Sequence, residues 1–310
     1  MSHSIVTLAP EAAPSHADIP RSPSGKPFSL DEAYAYCEVI AHDHDNFPGV
    51  SRLLPTRLRR HVSALYAFVR SADDFADEPR FRDRRAELLD SWQTGLERAF
   101  FGEAEHPVFV ALKDTVKQCD LPIGPLSDLL TAFRMDLSTS RYPTFSALQQ
   151  YVAHSAHPIG RLMLYIFGHR DPALHRFSDD ICSALHLTNF VQDVAPDLDR
   201  GRIYIPTEDL HHFGVDEDAL QSRRMTDRLQ QLFRFEAMRA RSLLYRGEPL
   251  IGLIGSELRG ELTMIWHGAK LTLEKLERNR YDVFSQRPTL HRIDKVKLLA
   301  RGTLARLTNS

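Results

Sequence analysis

Two short acidic arrays carry the clearest chemical signal in the sequence. In the first, Asp73 and Asp77 stand four residues apart. On a helix this spacing puts their carboxylates one turn apart on one face, at about 5 to 6 Å between Cβ atoms, where like charges repel. Such a pair calls for cations. Mg²⁺ takes hard oxygen ligands, keeps several waters, and is usually held by one or two carboxylates together with substrate phosphates, so a D-x-x-x-D face suits a metal-bound diphosphate. The second array, Asn189, Asp193 and Asp197, repeats the step and adds an amide oxygen to two carboxylates. A single acidic cluster is as readily a solvated helix end. Two arrays, each with arginine close in sequence, are much harder to obtain by chance.

The neighbouring residues fit the same chemistry. Tyr66 and Arg70 continue the stripe of Asp73 and Asp77 and are candidates for diphosphate contact. Arg202 and Tyr204 follow the second array and offer positive charge and a donor to phosphate oxygens. His186 lies one turn before Asn189 and can touch pyrophosphate or relay a proton, although a lone helical histidine is more often simply packed. Gln192 adjoins Asp193 and is read as a contact to substrate. Asp74 and Glu78 add negative potential but point away from the first stripe, and Asp199 falls about 240° from Asp193. Pro196 removes a backbone donor, so a kink is expected just before Asp197. The run His42-Asp43-His44-Asp45 looks like a metal site, but four adjacent residues cannot all turn towards one ion. Asp45, Asn46 and Phe47 are read instead as loop contacts to substrate.

Helices must position these groups. From Thr56 to Glu78, Leu58, Val62, Leu65, Val69, Ala72 and Ala76 form one apolar stripe, with the chemical stripe about 100° round from it. A second helix is expected from about Ile181 to Asp199, on a stripe of Ala184, Leu187, Val191, Val194 and Leu198. From Leu30 onward the pattern is helical, broken at 46–48, Pro79, Gly102, 121–125, 141–143 and 201–202. Residues 1–27 hold prolines, glycines and serines without apolar period and are expected to form a flexible tail. No linker or fixed-period repeat divides the rest, so residues 28–310 are read as one all-α domain.

Composition excludes other classes. The 39 basic and 41 acidic side chains give a net charge of −2, which argues against nucleic-acid binding. Three scattered cysteines indicate neither a disulfide framework nor a zinc site, as suits a cytoplasmic protein. No run approaches the roughly 18 apolar residues of a membrane span. Contact with a membrane surface stays open.

Tyr66-Ala67-Phe68-Val69-Arg70 leading into Ala72-Asp73-Asp74-Phe75-Ala76-Asp77, with Asn189-Phe190-Val191-Gln192-Asp193 leading through Asp197-Leu198-Asp199 to Gly201-Arg202-Ile203-Tyr204-Ile205-Pro206, resembles the squalene and phytoene synthase family. The resemblance covers about residues 28–290. It implies a single-domain isoprenoid synthase fold, with helices around a central cavity and two aspartate-rich helices sharing three Mg²⁺ ions with the diphosphate of a prenyl substrate. Asp73, Asp77, Asn189, Asp193 and Asp197 take the ligand positions. Within the family, Asn46-Phe47-Pro48, Leu53-Leu54-Pro55 and Ser155-Ala156-His157-Pro158-Ile159-Gly160 look most like the hydroxysqualene synthases of bacterial hopanoid biosynthesis. These convert presqualene diphosphate and water to hydroxysqualene and pyrophosphate, without NADPH, and their place in squalene synthesis leaves room for hand-over with neighbouring enzymes. The chain shows no G-x-G-x-x-G fingerprint for a nicotinamide. Two rival readings are head-to-head condensation of prenyl diphosphates and a non-catalytic helical adaptor.

Overall fold

The structure is a computed structural model that describes residues 27–42 and 54–308. Among these residues lie fifteen α-helices, and the only extended pairing is an isolated parallel bridge between Arg141 and Ile203. The all-α expectation is met. The chain divides into two compact units, one made of Met1–Ser138 with Arg161–Arg170 and the other of Thr139–Gly160 with Asp171–Ser310. The expected tail lies almost wholly outside the described residues, as do Asp45, Asn46 and Phe47.

The first unit holds α1 (Leu30–His42), α2 (Thr56–Asp77), α3 (Arg85–Phe101), α4 (Pro107–Cys119) and α5 (Ile123–Ser138), with α1, α3, α4 and α5 all packed on α2. This corrects the picture of α2 as a one-sided helix. Fifteen of its 22 residues are buried, including Tyr66, Asp73 and Asp74, while Val69 of the expected apolar stripe is only half-buried. A helix covered all round belongs to a core. Its many small residues, among them Ser63, Ala64, Ala67, Ser71 and Ala72, let neighbours approach closely. Behind it Phe68 stacks on Trp92 at 6.1 Å, and the Trp92 Nε1–H donates to the Phe68 carbonyl at 3.1 Å. Pro79 stops the chain after α2, and Gly102, at φ 134°, ends α3 in a conformation that favours glycine.

The second unit runs through α6 (Phe145–Ser155), the start of α7 (His157–Ile166), α8 (Pro172–Gln192), α9 (Val194–Asp199), α10 (Thr207–His212), α11 (Glu217–Gln221), α12 (Asp227–Gly247), α13 (Leu250–Leu253), α14 (Ser256–Arg278) and α15 (Arg292–Leu307). Residues 161–170 return to the first unit. Helix α8 lies along α12, where a Cβ on Gly247 would come within 2.7 Å of the Phe177 carbonyl, so the two backbones meet at a contact only glycine permits. The single helix expected over Ile181–Asp199 is in fact the end of α8 followed by α9. The cause is Pro196, which has no N–H for the Gln192 carbonyl, so the break falls at Asp193 (φ −105°, ψ 15°). Helical bonding survives around it: the Asp193 N–H donates to Asn189 O at 2.8 Å and the Asp197 N–H to Asp193 O at 2.9 Å. No helix among the described residues is long and apolar enough to cross a membrane.

Gly95 of α3 faces α4, and an added Cβ would sit 2.1 Å from Phe109 Cε2. Gly95→Ala should lower unfolding stability by about 1 to 3 kcal/mol in urea titrations, through overpacking of a fixed aromatic ring. Gly124→Ala in α5, where nothing lies within 4 Å, should be neutral or slightly stabilising.

Candidate active site

In the first unit the carboxylates of α2 sit in a mostly dry environment. Asp73 and Asp74 are 6% and 3% exposed, while Asp77 at the helix end is half-buried. Asp74 does not turn away, as its off-stripe position suggests. Arg70, three and four residues back, reaches both carboxylates, with Nη1 at 3.2 Å from Asp73 Oδ2 and Nη2 at 2.5 Å from Asp74 Oδ1. Burial raises the Asp73 pKa, Arg70 opposes this, and the charges of Asp77 and Asp136 raise it further. Asp74 is pushed up to about 7, again mainly by burial, against Arg70. Tyr66 is likewise buried, and its hydroxyl is raised to about 12.

Asp136, on α5, is 8% exposed and lies outside both acidic arrays. A signal for it exists in the sequence. Leu126, Leu129 and Phe133 form the buried stripe of α5, and Asp136 occupies the next stripe position, where a charge has no packing role.

In the second unit Asp193 and Asp197 are 3% and 2% exposed, Asn189 is half-buried, and Asp199 is exposed and paired with Arg223. Asp197 is pushed up to about 8 by burial and by Asp193, against Arg200 and Arg202. Its carbonyl accepts from the Arg200 N–H at 3.0 Å and the Arg202 N–H at 2.8 Å, a wrap that requires Gly201 at φ 72°. The end of α8 is latched from far along the chain. Arg287 Nε donates to Asp193 Oδ1 at 2.6 Å, and the Gln192 amide donates to the Pro288 carbonyl at 2.6 Å. Gln192, expected at the substrate, thus anchors the segment that carries Arg287. No local pattern around Arg287 announces this contact.

His186 is buried one turn before Asn189. Its Nε2 lies 3.3 Å from Ser155 Oγ, and its ring meets Phe190 edge-on at 5.2 Å. Tyr204 stacks on Phe190 at 4.3 Å with the rings nearly parallel, and Tyr142 and Tyr151 pack beside it. Tyr204 therefore belongs to an aromatic cluster at the end of α8. Burial, aided by His157, pushes the His186 imidazole down to about 3, so it is neutral near pH 7.

No three His, Cys, Asp or Glu side chains among the described residues converge as a preformed metal cluster. The donor set still suits Mg²⁺. Each array offers hard oxygen donors, and burial raises the pKa values of Asp73, Asp74 and Asp197, as expected for carboxylates whose charge the protein alone does not fully compensate. Mg²⁺ needs only one or two carboxylates when phosphates and waters complete its shell.

The profile of the squalene/phytoene synthase family matches residues 40–294. The chain belongs to that family. It is 32% identical over 275 residues to the phytoene synthase of Arthrospira platensis, covering 84% of this chain and 89% of that protein. It is 33% identical over 280 residues to the 15-cis-phytoene synthase of Synechocystis, covering 86% and 83%. Among solved structures, squalene synthase HpnC from Alicyclobacillus acidocaldarius superposes with a TM-score of 0.78 at 38% identity, over 81% of this chain and 95% of that one. A dehydrosqualene synthase in complex with ligand gives a TM-score of 0.80 at 27% identity, over 89% and 96%. The chain is therefore an enzyme of isoprenoid biosynthesis with an isoprenoid synthase fold.

The depressed His186 pKa makes a thermodynamic prediction. Below about pH 6.5 the unfolded chain takes up a proton at His186 that the folded chain refuses until about pH 3. Stability from this group is complete above pH 6.5 and is lost as pH falls, by up to about 1.4 kcal/mol per pH unit. His186→Gln should flatten the fall in thermal midpoint between pH 6.5 and 4.5 relative to the parent protein.

Proposed function

We propose that the enzyme converts presqualene diphosphate and water to hydroxysqualene and pyrophosphate. Asp73, Asp77, Asn189, Asp193 and Asp197 are the residues that would hold Mg²⁺ with the diphosphate. When bound, the cations neutralise charge that develops on the leaving pyrophosphate. Arg70 fixes the orientation of Asp73, and Arg287 does the same for Asp193. Tyr66 and Arg202 supply further donors near the arrays, and no nicotinamide takes part. Residues 45–47 contribute loop contacts to substrate.

The observation that carries the hydroxylating reading is the pair of His186 and Ser155. An unprotonated imidazole beside a hydroxyl, bordered by the rings of Tyr151 and Phe190, can hold one water without placing a positive charge near a carbocation. Ser155 opens the segment Ser155–Gly160, in which this chain departs from condensing members. A second reading, head-to-head condensation of two prenyl diphosphates, is favoured by the phytoene synthase relatives at 32% and 33% identity. Either reaction consumes the same kind of diphosphate and uses the same arrays.

With presqualene diphosphate, Mg²⁺ and no nicotinamide, the enzyme should yield a C30 alcohol that carries one label from ¹⁸O-water. Consumption of farnesyl diphosphate to presqualene diphosphate or to a C30 hydrocarbon would establish the condensing reading instead.

Asp73→Asn or Asp193→Asn should lower turnover by about 10³-fold or more while leaving far-UV helicity intact, since each removes charge from a crowded acidic face. Asp199→Asn, at an exposed position paired with Arg223, should change turnover by less than about twofold.

A further inference from the structure

The outward face of α15 has no packing partner among the described residues. Ile293, Val296, Leu304 and Leu307 are 69%, 67%, 62% and 75% exposed, and with Ala300 they recur at steps of three and four, which places them on one stripe. The opposite side of the helix carries Leu298 and Gly302, which are buried. There α15 docks tightly on α14, where a Cβ on Gly260 would come within 2.7 Å of the Gly302 carbonyl. The exposed stripe is thus held rigidly outward.

Charge identifies what covers it. Helix α15 contains Arg292, Lys295, Lys297, Arg301 and Arg306 against one acidic residue, Asp294, in a chain of net charge −2. Asp294 is itself neutralised, by Lys275 Nζ at 2.6 Å and the His291 N–H at 2.9 Å. Lys297 and Arg301 border one side of the stripe and Arg292 the other, as the helical angles require, whereas Lys295 and Arg306 lie further round, towards the docked side. A firmly held helix with an apolar stripe between basic borders matches elements that lie in the plane of a membrane interface, with long cationic side chains reaching the headgroups.

We propose that this face of α15 docks on an anionic phospholipid surface, with Ile293, Val296, Leu304 and Leu307 at the headgroup–acyl boundary and Arg292 and Lys297 on lipid phosphates. A symmetric pairing with a second copy would set these basic borders against one another. Residues 1–26, with Glu11 and Asp18 against Arg21 and Lys26, carry no acidic excess to complement them. The inference does not depend on which reaction the enzyme performs.

The full chain is mixed with phosphatidylcholine vesicles, or with vesicles also containing phosphatidylglycerol, and sedimented. Binding is expected only to the anionic vesicles and should weaken with salt. Val296→Asp with Leu304→Asp should abolish it. Arg292→Glu with Lys297→Glu should weaken it about 30-fold or more. Both pairs are exposed, so thermal midpoint and turnover of dissolved substrate should match the parent protein. Absence of binding, equal binding to both vesicle types, or binding that survives the aspartates would overturn the proposal. So would a dimer in solution that Val296→Asp with Leu304→Asp dissolves, which would assign the face to a second copy.

Discussion

The cost of burying like-charged carboxylates governs this molecule. Asp73, Asp74 and Asp136 in one unit, and Asp193 and Asp197 in the other, are each less than a tenth exposed. An ionised carboxylate moved out of water loses hydration worth several kcal/mol even after relaxation, and a second negative charge nearby adds to the penalty. The protein offsets part of this with Arg70 across Asp73 and Asp74, and with Arg287 on Asp193. The remainder appears as raised pKa values at Asp73, Asp74 and Asp197. Neither helix would keep these residues buried for stability alone, because apolar side chains of similar volume would pack there without the penalty. A buried acidic surface that the chain compensates only in part is suited to a ligand that brings cations with it.

The helices meet this constraint in different ways. Helix α2 is enclosed on every side, so its carboxylates are held by packing, and small residues along its length allow four neighbours to close on it. Helix α8 is instead interrupted at its functional end. Pro196 breaks the backbone at Asp193, and the Gly201 turn, the Gln192 to Pro288 bond and Arg287 then fix the array. The break leaves Asp197 as buried as Asp193, so the kink expected from the proline does not carry Asp197 out to solvent.

These differences explain what the sequence could reveal. The acidic pairs were legible because a four-residue step has one meaning on a helix, and the all-α class was legible because the apolar period runs almost unbroken from Leu30 onward. The burial of α2 was not. Ser63, Ser71 and His61 are polar, yet all three are covered by neighbouring helices that no local pattern describes. Asp74 was set aside on helical angle alone, which ignores that an arginine four residues back reaches it. Asp136 had a signal, a charge on an apolar stripe, whereas Arg287 acts from 94 residues away and could come only from the fold. Residues 45–47 lie outside the described residues.

The arrays are common ground between the two candidate reactions, so any distinction must come from groups beside them. His186 bears directly on this. Under the proposed reaction a carbocation forms after pyrophosphate leaves, and a protonated imidazole at roughly 5 Å would oppose it by about 3 kcal/mol at an effective dielectric of about 20. That amounts to more than a hundredfold in rate. An imidazole held down to about 3 avoids the repulsion at any pH where the enzyme would work, yet keeps one donor and one acceptor nitrogen. With Ser155 on Nε2, a water has both a partner to orient it and a neighbour that does not compete with it for positive charge. A purely apolar residue would serve a condensing enzyme equally well at this position, because that reaction must exclude water. A neutral, hydrogen-bonded histidine between Tyr151 and Phe190 therefore has a chemical use in the hydroxylating reaction that it lacks in the other.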